Sequence, residues 1–276
     1  MKTGMSGNAD PRAVAVARAV YEAVRPESVI LFGSRARGDY REDSDVDLMV
    51  ICGERMSKHE YMKAQRAAGD AARDVYGMNY GVDLLPIRKS VYLRCRGGIN
   101  HVAAQAARDG VDMNGEKEDY KPDIERRFDW EDVRQRVINT DREIITLKGL
   151  VEGDFPQEAI GFHAQQALEN ILKGWISALG ISYGNTHDLE ELLKIIKTIP
   201  EEMDTRAGEE LKWLTAYAVE YRYWGAEIVL EDIEQLHRAI ARTVEAIGER
   251  IKELTGVAEL PRYTRPTRRL SDDDVE

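Results

Sequence analysis

The chain has little cysteine and no long apolar run. Its 276 residues include two cysteines, too few for a disulfide framework or a cysteine-rich zinc site. We interpret Cys52, at the end of an apolar stretch, as a core thiol rather than a nucleophile. No apolar run reaches the roughly eighteen residues of a membrane span, and the first residues lack the apolar segment of a secretory leader. These absences predict a cytoplasmic protein that does not enter a membrane.

Basic charge is also scarce. Lys and Arg number 39 against 50 Asp and Glu, a net charge of −11, and the isoelectric point is about 5.1. The average field therefore repels a polyphosphate chain, whose binding needs several basic contacts. A long nucleic acid is not expected as a partner. No P-loop or dinucleotide-binding fingerprint is found either.

A phosphate-binding turn is predicted where the first apolar strand ends. Residues 28–32 have the β-branched and aromatic character of a buried strand, and Gly33-Ser34 follow directly. A glycine lets the backbone approach a ligand, and the N–H groups of a turn that opens into a helix can hold a triphosphate. Arg35 and Arg37 are predicted to add positive charge to this nucleotide-binding site.

A pair of carboxylates follows the turn. Asp45 and Asp47 are two residues apart in a second apolar stretch that runs to residue 51. Side chains two apart on a strand point to the same face. We therefore expect both carboxylates to converge on Mg²⁺ or Mn²⁺, since hard cations bind carboxylates and substrate phosphates. Ser44, directly before the pair, is assigned to the nucleotide-binding set.

A third acid, Asp83, interrupts another short apolar segment, residues 80–87. A buried carboxylate without a partner is costly, and a bound cation offsets that cost. We predict that Asp45, Asp47 and Asp83 are together the metal ligands and the catalytic residues. Asp83 is also placed to act as a general base.

The turn, the Asp pair and the isolated third Asp occur in one order along the chain. Each alone is a weak signal, but together they resemble the nucleotidyltransferases of the DNA polymerase beta type, in particular their minimal bacterial branch. The resemblance covers residues 11–115, and residues 101–111 look like the family's last helix and turn. It implies nucleotide phosphates on the Gly-Ser turn and metal on the three acids.

Beyond residue 128 the pattern changes to amphipathic helices. Five are predicted from apolar periodicity, caps and breakers, covering residues 130–151, 156–179, 188–199, 207–224 and 233–254. Short connections favour an antiparallel bundle. The last helix has nearly heptad apolar spacing, from which we predict homodimerisation; the alternative is that this seam is only core.

Three stretches of the bundle resemble the HEPN domain, in that family's order. They are AQQALE at 164–169, THDL at 186–189 and YRY at 221–223, within a resemblance over residues 128–255. HEPN domains often accompany minimal nucleotidyltransferases, and a related bundle helps wall the acceptor site of kanamycin nucleotidyltransferases. His163 and His187 are each more often hydrogen-bonded structural residues than catalysts. Arg222 is either an ion-pair partner or a contact for an anionic group.

An α+β fold with two domains follows from these patterns. The expected nucleotidyltransferase domain, an α/β domain with a small mixed sheet, covers residues 1–115, and a polar linker covers 116–127. The HEPN-like helical bundle covers 128–256. Residues 257–276, with alternating basic and acidic clusters, are expected to be a disordered tail.

The leading functional hypothesis is metal-dependent transfer of a nucleoside monophosphate, AMP from ATP, to a hydroxyl group. The acceptor would be held between the two domains and pyrophosphate would leave. A small hydroxyl compound is ranked slightly ahead of a protein side chain. The alternatives are a toxin–antitoxin-like or regulatory module that nucleotidylates or binds a protein, and a nucleotide-binding protein without turnover, against which the intact acids argue.

We predict that the bundle is not a ribonuclease. HEPN ribonucleases place a histidine after four to six residues that follow an arginine, whereas Glu227, Ile228 and Val229 occupy those positions after Arg222. Without that imidazole, the purified protein should leave total RNA intact on a denaturing gel. RNA cleavage that disappears in Arg222→Ala would contradict this prediction.

Overall fold

The computed structural model describes residues 8–77, 80–114, 128–153, 155–184, 186–199, 206–219, 230 and 232–264. The chain divides into two compact units, residues 1–127 and 128–276. Arg222 and the YRY stretch lie outside the described residues. No helix within the described ranges has the length and apolarity needed to cross a membrane.

The first unit is built on a mixed sheet in which four strands are described. They are β1 (Ser28–Phe32), β2 (Val46–Cys52), β3 (Val82–Arg88) and β4 (Val111–Asp112), in the order β3-β2-β1-β4. β1 is antiparallel to β2 and β4, whereas β2 and β3 are parallel. The three strands predicted to begin near residues 28, 46 and 80 are confirmed. The predicted α+β fold class is confirmed as well.

Helices cover both faces of this sheet. They are α1 (Pro11–Val24), α2 (Gly33–Arg37), α3 (Lys58–Tyr76), α4 (Lys89–Cys95) and α5 (Val102–Asp109). Because side chains alternate along a strand, Leu48 and Val50 of β2 pack in the core beneath α1 and α3. Met49 and Ile51 pack in the second core with α4 and α5. Asp47 is in the same alternation set as Met49 and Ile51, so it lies on the α4 and α5 face.

The second unit is a helical bundle around one central helix. Its long helices are α6 (Trp130–Glu152), α7 (Gln157–Ala178), α8 (Leu189–Ile196) and a last helix, Ile233–Thr255. Asp129 caps α6, as predicted, through its carboxylate and the Asp132 N–H. From Ala164 to Ala178 nearly every residue of α7 is buried, because α6, α8 and the last helix all pack against it.

The single helix predicted over 207–224 is wrong for the part that the structure describes. Residues 206–219 form α9 (Arg206–Glu209), a 3₁₀ turn (Lys212–Leu214) and α10 (Thr215–Val219); the last helix is therefore α11. Leu211, Leu214 and Tyr217 are all buried. Their spacing of three matches the 3₁₀ period rather than the 3.6 of an α-helix. Likewise, α8 ends at Ile196, not at residue 199.

The tail predicted to be disordered from residue 257 begins as packed chain. Leu260 contacts the bundle core. Asp141 on α6 accepts hydrogen bonds from the Arg262 guanidinium at 3.0 Å and from the Tyr263 N–H at 2.8 Å. The prediction is therefore wrong for 257–264, and residues 265–276 lie outside the described residues.

The apolar seam of α11 belongs to the core of its own bundle. Leu236, Ile240, Ile247 and Ile251 are buried in it, and α11 packs on α7 and α6. This is the alternative of a seam that is only core. The seam therefore gives no support to the homodimer, which stays a prediction.

A cavity in this core should destabilise the second unit. Ile240 is fully buried, so Ile240→Ala is expected to lower the free energy of unfolding by about 2–5 kcal/mol, and Ile240→Val by about 1 kcal/mol. All four tryptophans lie between residues 130 and 224. Urea unfolding followed by tryptophan fluorescence therefore reports on this unit.

The matched control for Ile240→Ala is Ile145→Ala on α6. Ile145 is 42% exposed, and its truncation should change the free energy of unfolding by about 0.5 kcal/mol or less. Equal losses for both variants would show that α11 does not contribute the core described above.

Candidate active site

A glycine turn lies directly against one of the predicted acids. Gly33 begins α2 immediately after β1 with φ at +73°, a conformation that residues with a Cβ rarely adopt. A Cβ added at Gly33 would lie 2.3 Å from Oδ2 of Asp47. The turn and the Asp47 carboxylate are therefore in close contact, as the sequence pattern predicted. Only a glycine at position 33 leaves room for that carboxylate.

A second glycine makes the same room for Asp45. A Cβ added at Gly81 would lie 1.9 Å from Oδ1 of Asp45. The Gly81 carbonyl accepts a hydrogen bond from the Val46 N–H at 3.0 Å, where β2 and β3 begin to pair. Sequence reasoning missed Gly81, and its only signal was its position two residues before Asp83.

Parallel pairing brings the third acid to the same place. Asp47 on β2 is in direct register with Asp83 on β3. Burial, as the largest cause, and the negative charges of Asp83 and Asp45 together raise the pKa of Asp47 from 3.8 to about 6, while Arg37 acts to lower it. Asp45, Asp47 and Asp83 thus form one electrostatically coupled group at one edge of the sheet.

The assignment of these three acids as metal ligands stays a prediction. Among the described residues, no group of three His, Cys, Asp or Glu side chains is placed so that it could hold a metal ion. Magnesium sites commonly use one or two carboxylates and leave other positions to water and substrate phosphates. Carboxylate oxygens that repel one another at a solvent-accessible edge fit a hard divalent cation of that kind.

The two arginines of the turn have different positions. Arg37 is partly exposed, contacts Asp39 at 3.2 Å and acts on the charge of Asp47. Arg35 has no exposed side-chain surface, and its guanidinium pairs with buried Asp10. The predicted phosphate contact therefore disagrees with the position of Arg35, whereas Arg37 remains a candidate.

The serines of the predicted nucleotide set are both half-buried. The Ser34 carbonyl accepts hydrogen bonds from the N–H groups of Gly38 and Asp39, which close the α2 turn. The Ser44 hydroxyl accepts one from the Arg41 N–H at 2.9 Å. Ser44 thus shapes the loop before Asp45, and its phosphate-binding role remains a prediction.

The histidines of the second unit contact buried glutamates. The Nδ1 atom of His163 lies 2.7 Å from Glu143, and that of His187 lies 3.1 Å from Glu169. Glu143 and Glu169 are 7% and 4% exposed. Both positions agree with the hydrogen-bonded, structural alternative for these histidines.

Comparison with known proteins finds two family matches and a curated relative. Residues 17–94, which contain the turn and all three acids, match the family described as polymerase beta, nucleotidyltransferase, and residues 141–254 match the HEPN domain. A Methanocaldococcus jannaschii protein named "Putative protein adenylyltransferase" is 39% identical over 61 residues. That stretch is 22% of this chain and 57% of the relative, so the chain spans a little over half of the relative's length.

The carboxyl group of Asp47 should titrate near neutrality. A carboxyl-carbon NMR titration without metal is expected to give a midpoint of about 6. Asp83→Asn should lower that midpoint, because it removes one of the charges that raise it. An unchanged midpoint in Asp83→Asn would show that the two acids are not coupled.

The same pKa shift has a consequence for stability. A carboxyl group with a raised folded pKa contributes stability below about pH 4, and this contribution is lost as the pH rises through about 6. Asp47→Asn should therefore raise the calorimetric unfolding temperature of the first unit at pH 7.5 and have little effect at pH 4.

Proposed function

Because the chain carries a nucleotidyltransferase domain of the polymerase beta type followed by a HEPN domain, we propose that it transfers AMP from ATP to a hydroxyl group of an acceptor. The observation that carries this proposal is the contact between the Gly33 turn and Asp47, within a group of three coupled acids. A turn for phosphates and oxygen ligands for a cation are what nucleotidyl transfer requires.

The bond changes of the proposed reaction are simple. The acceptor oxygen forms a bond to the α-phosphorus of ATP, and the bond from that phosphorus to the bridging β-phosphate oxygen breaks. Pyrophosphate leaves with the electron pair of the broken bond. The hydroxyl proton passes to a base, for which we propose Asp83, and then to water.

The chain's residues would contribute mainly position and charge, as in other phosphoryl transfers. Backbone N–H groups of the Gly33-Ser34 turn would bind phosphate oxygens, and Arg37 would add positive charge there. Asp45, Asp47 and Asp83 would hold Mg²⁺ or Mn²⁺. Such an ion, when bound, supplies the positive charge that neutralises the phosphates and lowers the pKa of an attacking hydroxyl group.

The acceptor is proposed to be a hydroxyl-bearing protein side chain. The name of the Methanocaldococcus relative supports this choice over the small hydroxyl compound that ranked first on sequence alone. The net charge of −11 still argues against a long nucleic acid. The small compound is the second candidate, and the label-transfer experiment below separates the two.

Incubation with each α-labelled nucleoside triphosphate tests the proposal. With Mg²⁺ or Mn²⁺ and cell extract, we expect label from ATP on a protein band. This label should remain on the band after a phosphatase has degraded the free nucleotide. Asp45→Asn and Asp47→Asn should each lower the transfer rate about 100-fold or more, because the amide keeps the shape but loses the charge that binds the cation. Asp83→Asn should do the same.

Asp74→Asn is the matched control. Asp74 is an exposed residue of α3, so this variant makes the same chemical change outside the proposed site, and its transfer rate should equal that of the wild type. Label on a small molecule would select the second acceptor, and label on RNA would overturn the charge argument. Unchanged transfer in Asp47→Asn would refute the site.

A further inference from the structure

Among the described residues of the first unit, Arg35 is a completely buried cation whose side chain makes four hydrogen bonds. Its side chain is completely buried, and it pairs with Asp10, which is 1% exposed. Asp10 is the N-cap of α1 and also accepts hydrogen bonds from the Arg12 N–H at 2.9 Å and from the Tyr76 hydroxyl at 2.8 Å. The Asp10 N–H in turn donates to the Arg35 carbonyl at 2.9 Å. Arg35 and Asp10 are therefore joined through both backbone and side chain.

The remaining donors of Arg35 bind the loop that leads to Asp45. Nε donates to the Ser44 carbonyl at 2.8 Å, and Nη2 donates to the carbonyls of Glu42 at 3.1 Å and Arg41 at 3.3 Å. Three carbonyls of the four residues before Asp45 are thus held by one guanidinium group. Arg35 itself is two residues from Gly33, so it connects the turn to this loop.

Three tyrosine rings enclose the guanidinium group. Its central carbon lies 4.6 Å from the ring centre of Tyr40, 4.8 Å from that of Tyr76 and 4.9 Å from that of Tyr80. Tyr76 and Tyr80 stack on each other at 4.0 Å. The Tyr80 hydroxyl donates to the same carbonyls, those of Glu42 and Ser44, at 2.7 Å. The rings exclude water and attract the cation, so the loop has few alternative partners.

We propose that Arg35 is a positioning residue, which fixes the loop 41–44 and hence Asp45 relative to the Gly33-Ser34 turn. This inference rests on the proposed function, because it concerns the same site. The side chain of Arg35 is completely buried, so it is not placed to contact a phosphate or a cation at the surface. It acts through the carbonyls that it holds, in the way that outer partners of a metal site orient its ligands.

Lysine cannot replace arginine in this role. A planar guanidinium group has five donors with fixed directions, and four of its hydrogen bonds are used here. An ammonium group has three donors around one atom. Lysine could keep the pair with Asp10, but it could not reach Asp10 and all three loop carbonyls together.

Two variants test the inference. Arg35→Lys should keep the fold and release the loop, and Tyr80→Phe removes only the hydroxyl that supports the same carbonyls. Both are expected to speed amide hydrogen exchange at residues 41–45. Both should raise the Mn²⁺ concentration that half-saturates the protein in the presence of ATP, by about tenfold for Arg35→Lys, as measured by electron paramagnetic resonance of free Mn²⁺.

The controls make the same chemical changes at other sites of the unit. Arg18→Lys alters an exposed arginine of α1, and Tyr61→Phe removes a hydroxyl that contacts exposed Gln65. Neither should change exchange at 41–45 or half-saturation by Mn²⁺. Amide exchange and half-saturation by Mn²⁺ are both measured well below the unfolding temperature. A lower global stability alone then changes neither value.

The outcomes separate the two proposals. Unchanged exchange and unchanged half-saturation in folded Arg35→Lys and Tyr80→Phe would overturn the positioning role, even if the wild type transfers AMP. If Arg35→Lys does not fold, Tyr80→Phe decides by the same two measurements. Faster exchange at 41–45 in a protein whose wild type transfers no nucleotide would support the positioning role and reject the proposed function.

Discussion

The partial burial of Asp47 beside two other carboxylates is the constraint on which the site of the first unit depends. Parallel pairing of β2 and β3 places Asp47 beside Asp83, and burial, together with the charges of Asp83 and Asp45, raises the pKa of Asp47. Gly33 and Gly81 provide the room in which the carboxylates lie. Carboxylates that repel one another favour a nearby positive charge, which is in keeping with the proposed role of these acids as cation ligands.

The buried pair of Arg35 and Asp10 fixes geometry in the first unit. Removing two charges from water costs more than their attraction returns unless other hydrogen bonds are made. Here the Asp10 carboxylate accepts from Tyr76 and Arg12 as well, and Arg35 donates to three carbonyls. A network satisfied in this way fixes one geometry rather than adding much stability. The loop before Asp45 thus has one favoured position. Without these hydrogen bonds, repulsion by the neighbouring carboxylates would move Asp45 away from it.

Sequence patterns predicted the parts of the site that depend on local order along the chain. The strands, the Gly33 turn and the shared face of Asp45 and Asp47 follow from apolar alternation and short spacing, whereas the register of Asp83 against Asp47 is a finding of the structure. The role of Arg35 could not be read in that way, because its partner Asp10 lies 25 residues earlier and Tyr80 lies 45 residues later. The same limit applies to α11, whose seam looks alike whether it contacts a second copy or its own bundle. The 3₁₀ turn that interrupts the predicted helix packs on α7 and α8, and periodicity alone does not reveal such a contact.

The second unit holds its buried charges in pairs that leave little capacity for proton transfer among the described residues. Burial acts to raise the pKa of Glu169, but Lys173 at 2.7 Å, with Gln165 and His187, outweighs burial and lowers it. Burial acts in the same way on Glu143, and His163 and Arg142 again lower its pKa. A carboxylate held ionised by fixed partners is a weak acid–base catalyst at neutral pH. Among the described carboxylates, Asp47 is the one whose pKa rises towards neutrality, so acid–base chemistry is expected on the first unit rather than on these glutamates of the second.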